Sequence, residues 1–197
     1  MVIILDYNNA QSDTINEVLL ENNIEYKYSL SEKLITTADK IILPHPHYFN
    51  SAYKKMQLMN LFSFLRLIKK PILGINDGFC FMCNEIFDQY KCGLGFFQID
   101  LKSISCATEN VTEIDLVEGK LELKENCMLV DGKYSKAKVN FDFHSQLREY
   151  EYTSSLIHYN NDVYSLTYEN ENYFACELNF VKNIDLGKSI IKNFLNL

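Results

Sequence analysis

The sequence predicts an α/β protein with an open, mostly parallel sheet, flanking helices and antiparallel additions. Three observations carry this. Short, continuous, β-branched runs alternate with amphipathic stretches through about residue 90; the segments beyond Phe96 switch to period-two alternation; and one apolar run closes on the glycine-bracketed turn "KPILGINDGFCFMC" at 70 to 83. Continuous apolar runs mark strands covered on both faces, alternation marks strands with one wet face, and periods near 3.6 mark helices.

In order, "VIILD" at 2 to 6 reads as a central parallel strand, and residues 11 to 22 as a helix with Ile15, Val18 and Leu19 on one face. "YKYS" offers a second strand, and "DKIILP" a third that stops at Pro44. "MQLMNLFSFLRLIKK" predicts one long amphipathic helix whose terminal lysines suit the helix dipole. "PILGI" then enters the glycine-bracketed turn, which leads into a further helix carrying both Cys80 and Cys83. Later, "FFQIDL", "TEIDL", "KLELK" and "CMLVDG" alternate as strands. "DVYSLTYENENYFACEL" reads as two strands joined at Asn170-Glu171-Asn172, and "DLGKSIIKNFLNL" as a closing helix with Leu186, Ile190, Ile191, Phe194 and Leu195 apolar. In such sheets ligands bind outside the carboxyl ends of the parallel strands, which places a candidate site at Asp6 to Asn9, Pro44 to Phe49 and Asn76.

The 197 residues fit one domain, 1–197, without visible boundary or repeat, and 7 Gly with 3 Pro argue against linkers. A net charge of -7 without a cationic cluster disfavours nucleic acid as a partner, since phosphate-backbone binding needs grouped Lys and Arg. No apolar run approaches a membrane span and the amino terminus does not read as a signal, so no membrane partner and a cytoplasmic location are expected. Six scattered cysteines then read as reduced thiols. The "CFMC" spacing alone is a weak redox or metal signal, because no second cysteine pair follows. His45 and His47 alternate and would point to one side of an extended segment, with Asp77 a conceivable third ligand. They read more simply as polar loop residues, so neither metal nor cofactor is expected.

A glycine-bracketed strand-to-helix turn usually lifts a nucleophile out of a sheet, yet its apex here is Asn76. The order of the pieces resembles the class I glutamine amidotransferases, and among them the glutaminase subunits of imidazole glycerol phosphate synthase. The resemblance rests on "ILDYNNA", "ADKIILP" with Phe49, "KPILGI..G", "GLG" at 93 to 95, "FHS" at 143 to 145 and "GKSIIKNFL". In that family the elbow cysteine attacks the glutamine amide, and a His-x-Glu pair after the last strand supplies the base and its orienter.

Carried onto this chain, the resemblance puts the cysteine on Asn76, the histidine on Asn179 and the glutamate on Val181. Neither amide replaces a thiolate or a base, and valine orients nothing. The loop donating an N–H to the oxyanion falls on "PHPHYF", with Pro46 at the donor position, and proline has no N–H. His144 and Ser145 fall on residues that hold the backbone of bound glutamine, followed by Gln146 where the family has tyrosine. The resemblance therefore implies a catalytically silent amidotransferase-like protein, a scaffold or regulatory partner of a synthase or cyclase subunit. Two alternatives stand beside it. One is a glutaminase working through a non-standard site, for which Cys80, one helical turn past Asn76, is the best nucleophile; the other is a small-molecule binder at the elbow, with Asn76, Asp77, Cys80, His144, Ser145 and Asn179 as contacts. Asp77 also reads as a cap for the following helix.

Overall fold

The computed structural model describes residues 1–9, 12–86, 91–101, 117–139 and 151–197. Its first half alternates strand and helix: β1 (Val2–Ile4), α1 (Asp13–Glu21), β2 (Tyr26–Tyr28), α2 (Glu32–Thr37), β3 (Lys40–Leu43), α3 (Phe49–Leu58), α4 (Leu61–Arg66), β4 (Ile72–Ile75) and the single turn α5 (Asp77–Cys80). The chain then turns to strands: β5 (Cys83–Ile86), β6 (Lys91–Cys92), β7 (Phe97–Leu101), β8 (Val117–Leu123), β9 (Lys136–Val139), β10 (Thr153–Tyr159), β11 (Asp162–Asn170) and β12 (Tyr173–Cys176), before α6 (Ile184–Asn196) closes it.

Among the described residues the main sheet has nine strands in the order β2-β1-β3-β4-β12-β11-β10-β8-β9. β2, β1, β3, β4 and β12 are mutually parallel, so the short apolar runs lie side by side as their composition predicts. β12 is also where the two halves join: it pairs parallel with β4 on one edge and antiparallel with β11 on the other. The β11–β12 hairpin turns at Glu171 and Asn172, and Glu171 takes a left-handed φ of 54°. Apart from the edge strand β2, the parallel strands are buried on both faces: Ile3, Leu5, Ile41 and Leu43 point to one cluster, and Val2, Ile4, Ile42 and Leu73 to the other. On the second face α6 packs with Leu186, Ile190, Ile191 and Phe194 inward. Gly187 makes its seat against β12's exit, for a Cβ there would stand 2.8 Å from the Phe180 ring. Lys40 Nζ donates to the carbonyls of Phe194 and Leu195, capping that helix from β3.

Four sequence expectations are corrected. The long helix through 56 to 70 is two helices, because Asn60 adopts φ 53° and turns the chain between Leu58 and Leu61. Asparagine tolerates that left-handed region better than most residues. The helix after the elbow is one turn: Cys80 ends α5 and Cys83 opens β5, so the two thiols do not share a helix. "FFQIDL" does form a strand, but β7 belongs to a separate three-stranded sheet, β6-β5-β7, and pairs parallel with β5. "CMLVDG" is an ordered loop and not a strand. Its Met128 and Leu129 N–H groups are satisfied by the Glu169 carboxylate, which replaces a strand neighbour. "TEIDL" lies outside the described residues.

Candidate functional site at the elbow

Three adjacent parallel strands, β1, β3 and β4, end on the same edge of the sheet, and the chain leaving each builds the candidate site. After β4 the backbone reverses at Asn76, with φ 52° and ψ -121°, a non-glycine residue in a sparsely populated region. Such strain costs about 1–3 kcal/mol and persists only where neighbours over-determine it. Here they do. The Asn76 N–H donates 2.7 Å to the Cys176 carbonyl on β12, and the Asn76 carbonyl accepts 2.8 Å from the Phe79 N–H. The two bracketing glycines leave no alternative path. A Cβ on Gly78 would lie 2.0 Å from the Leu43 carbonyl oxygen, and one on Gly74 would lie 2.5 Å from Met82 Sδ and 2.9 Å from the Phe79 nitrogen. The turn is thus pressed onto the end of β3, and its apex residue is 8% exposed.

The segment after β3 lies along the end of β1. Pro46 bridges Asn9, His47 N–H donates 2.9 Å to the Asn8 carbonyl, and the Tyr7 hydroxyl donates 2.5 Å to the Pro44 carbonyl. Pro46 itself is buried and contributes no N–H. Tyr7 is fully buried, edge-on to Phe81, and burial, then the neighbouring Asp77 and Cys80, push its hydroxyl far above the usual phenol range. Tyr7 falls within the stretch Asp6 to Asn9 that the sequence places at the site, but its role as a buried anchor has no sequence signal beyond an aromatic residue after a buried strand.

Asp77 and His45 meet across this junction, with His45 Nδ1 3.6 Å from Asp77 Oδ2. Burial pushes the Asp77 carboxyl up to about 7 and pulls His45 below its usual value, with the His47 charge adding to the second effect. The pairing was anticipated only as part of a metal site. Among the described residues no group of three His, Cys, Asp or Glu side chains is arranged to hold a metal ion.

Cys80 is fully buried, and its thiol is held far above the ordinary range by burial and by Asp77. A thiol in that state is protonated at neutral pH and is a poor nucleophile. Asn179 leaves the sheet on the same edge as Asn76, three residues past Cys176, whose strand partner is Ile75. Its side-chain oxygen accepts from the N–H groups of Val181, at 3.0 Å, and Lys182, at 3.3 Å, so the amide caps the turn that leads into α6. Val181 is exposed. His144 and Ser145 lie outside the described residues. His158 is on β10 and pairs 2.7 Å with Glu122 on the neighbouring β8, remote in the sheet order from the elbow.

No protein-family model matches the chain. It resembles curated relatives over its whole length. It is 29% identical over 217 residues to the imidazole glycerol phosphate synthase subunit HisH of Pelagibacter ubique (strain HTCC1062), covering 100% of this chain and 99% of that protein. It is 24% identical over 207 residues to the protein of that name from Leptospira interrogans, covering all of both chains. A crystal structure of a glutamine amidotransferase superposes with a TM-score of 0.70 at 13% identity, covering 99% of this chain and 97% of that one. The structure of PurLQS from Thermotoga maritima gives 0.66 at 15% identity, with the same coverage. Fold and sequence likeness point the same way: the chain has the fold of these glutamine amidotransferases and resembles the HisH proteins along its whole length. Among its relatives by sequence are the HisH subunits of imidazole glycerol phosphate synthase.

Proposed function

We propose that the chain is a catalytically silent glutamine amidotransferase-like protein that serves as a scaffold or regulatory partner of a synthase- or cyclase-type subunit. One observation carries the reading: the strained elbow is fully built, yet the residue that it presents is Asn76. A carboxamide cannot form the thioester through which a cysteine at that position would release ammonia. The remaining roles carried over from the family fare no better. Asn179 has its side-chain oxygen committed to two backbone donors, Val181 offers no acceptor, and Pro46 offers no donor to an oxyanion.

The rival reading, ammonia release through Cys80, is disfavoured by that thiol's complete burial and raised pKa. A partner subunit is supported by the names of the sequence relatives, which are subunits of a synthase. The exposed side chains on the elbow edge, Tyr48 at 72% and Val181 at 50%, suit protein contact there. The test has two parts. Co-purification with the synthase or cyclase subunit of the same cell should give a stable complex, and that complex should not release ammonia from glutamine. A chain that binds no such subunit loses the scaffold role, and one that hydrolyses glutamine loses the silence.

A further inference from the structure

We propose that the His45–Asp77 contact is a proton-operated latch that fastens the segment Pro44–Tyr48 to the elbow, tightest when the two side chains share a single titratable proton. The proposal rests on the amidotransferase-like reading only for the location of the segment at the site's edge. The latch itself stands on geometry. The two residues lie on separate chain segments, one leaving β3 and one leaving β4, that otherwise touch through backbone packing at Gly78 and Leu43. Their side chains are largely buried, at 18% and 13% exposure. His45 Nδ1 has no hydrogen-bond partner among the described residues and stops 3.6 Å from the carboxylate, one small movement short of a hydrogen bond.

Charge counting gives the device its direction. With two protons the pair is an imidazolium beside a neutral acid, and with none it is a carboxylate beside a neutral imidazole. Either state leaves one net charge in a mostly dry site. With one proton the net charge is zero, and the pair is held by a charge-assisted or a neutral hydrogen bond. Other titratable groups stand around the pair. Tyr7 from β1 and Cys80 on α5 both stay protonated, and the anionic form of either would oppose Asp77. His47 on the same segment opposes protonation of His45. From β12's exit Glu177 acts on Cys80 and accepts from the Tyr168 hydroxyl. Lys55 of α3 is directed to the Asp6 carbonyl, at 2.6 Å.

The consequence reaches the surface, because the latched segment carries the exposed His47 and Tyr48 at the elbow edge and leads directly into α3. Presentation of that edge to a partner therefore follows pH across the neutral range.

Histidine-selective NMR titration from pH 5 to 9, together with amide exchange at residues 45, 47 and 48, tests it. Wild-type His45 is expected to show two inflections, its own and that of Asp77, with intrinsic-rate-corrected exchange of the three amides slowest between them. Asp77→Asn should leave a single His45 inflection that lies between the two and below the upper one by about one pH unit or more, the size of coupling that makes two sites titrate as a pair. His45→Gln should abolish the exchange minimum, and it serves equally well if the asparagine variant does not fold. A single His45 inflection that Asp77→Asn leaves in place, or an exchange profile unchanged by His45→Gln, overturns the latch.

Discussion

Replacing Asp77 by asparagine should stabilise the protein at alkaline pH and leave it nearly unchanged at acid pH. Burial raises the Asp77 carboxyl from an ordinary value of 3.8 to about 7 in the folded chain. A raised acid favours folding most where both states are protonated, below about pH 4. Between pH 4 and 7 the unfolded chain gives up the proton that the folded chain keeps, so stability falls with rising pH and levels off above 7. Three units at about 1.4 kcal/mol each give an upper bound of about 4 kcal/mol, which the contact with His45 and partial solvation reduce to about 2–3 kcal/mol. Asparagine does not ionise and escapes this loss. Urea unfolding followed by far-UV circular dichroism at pH 4.5, 6 and 8 in both proteins gives the difference directly, and the titrations of all other carboxylates cancel in it. The advantage of Asp77→Asn should grow with pH and reach its plateau above 7. A difference that is flat from pH 4.5 to 8 would show that Asp77 ionises freely, and the burial argument at the elbow would fail.

Backbone fit around the elbow makes further predictions. Gly78→Ala should cost about 3 kcal/mol or more in chemical unfolding, since its Cβ would stand 2.0 Å from a backbone oxygen that has nowhere to move. Gly132→Ala, with open space around its Cβ, should change stability by no more than about 0.5 kcal/mol. Asn76→Gly should relieve the strained apex and raise stability by about 1 kcal/mol, whereas loss of stability on that change would mean that the asparagine side chain holds the turn. Asn60→Val should cost about 1–2 kcal/mol in the same assay, because a β-branched residue resists the left-handed turn that separates α3 from α4.

How far the sequence reveals this molecule differs from element to element. The runs "VIIL", "KIIL" and "ILGI" are legible as parallel strands because burial on both faces demands continuous apolar side chains, a pattern that little else mimics. The elbow is legible from Gly74 and Gly78, since close backbone approach at both positions admits no Cβ. The split between α3 and α4 is hidden, for Asn60 is the sole local signal in an otherwise helical pattern. The second sheet escapes for a different reason: β5 pairs parallel with β7 and antiparallel with β6, and period-two alternation says that a strand exists but not what it pairs with. The loop at 127 to 132 imitates a strand because a single distant carboxylate, Glu169, takes the place of a ladder. At the site, the placement of Asn76 and of Pro46 follows from local chain logic. The meeting of His45 with Asp77 does not, because it depends on how far one turn is pressed against another strand's end.

Silence at the elbow is tested most directly by ammonia release from glutamine, measured on the purified chain alone and with a synthase or cyclase subunit of the same cell, and repeated with Asn76→Cys and Cys80→Ala. The account predicts no release above background from the wild type in either setting. It predicts none from Asn76→Cys, because a lone thiol would still lack a base at Asn179, an orienter at Val181 and an N–H at Pro46, and such groups act as a unit. Wild-type hydrolysis at a rate typical of enzymes, about one per second or faster, would contradict it, and its abolition by Cys80→Ala would place the chemistry on the buried thiol.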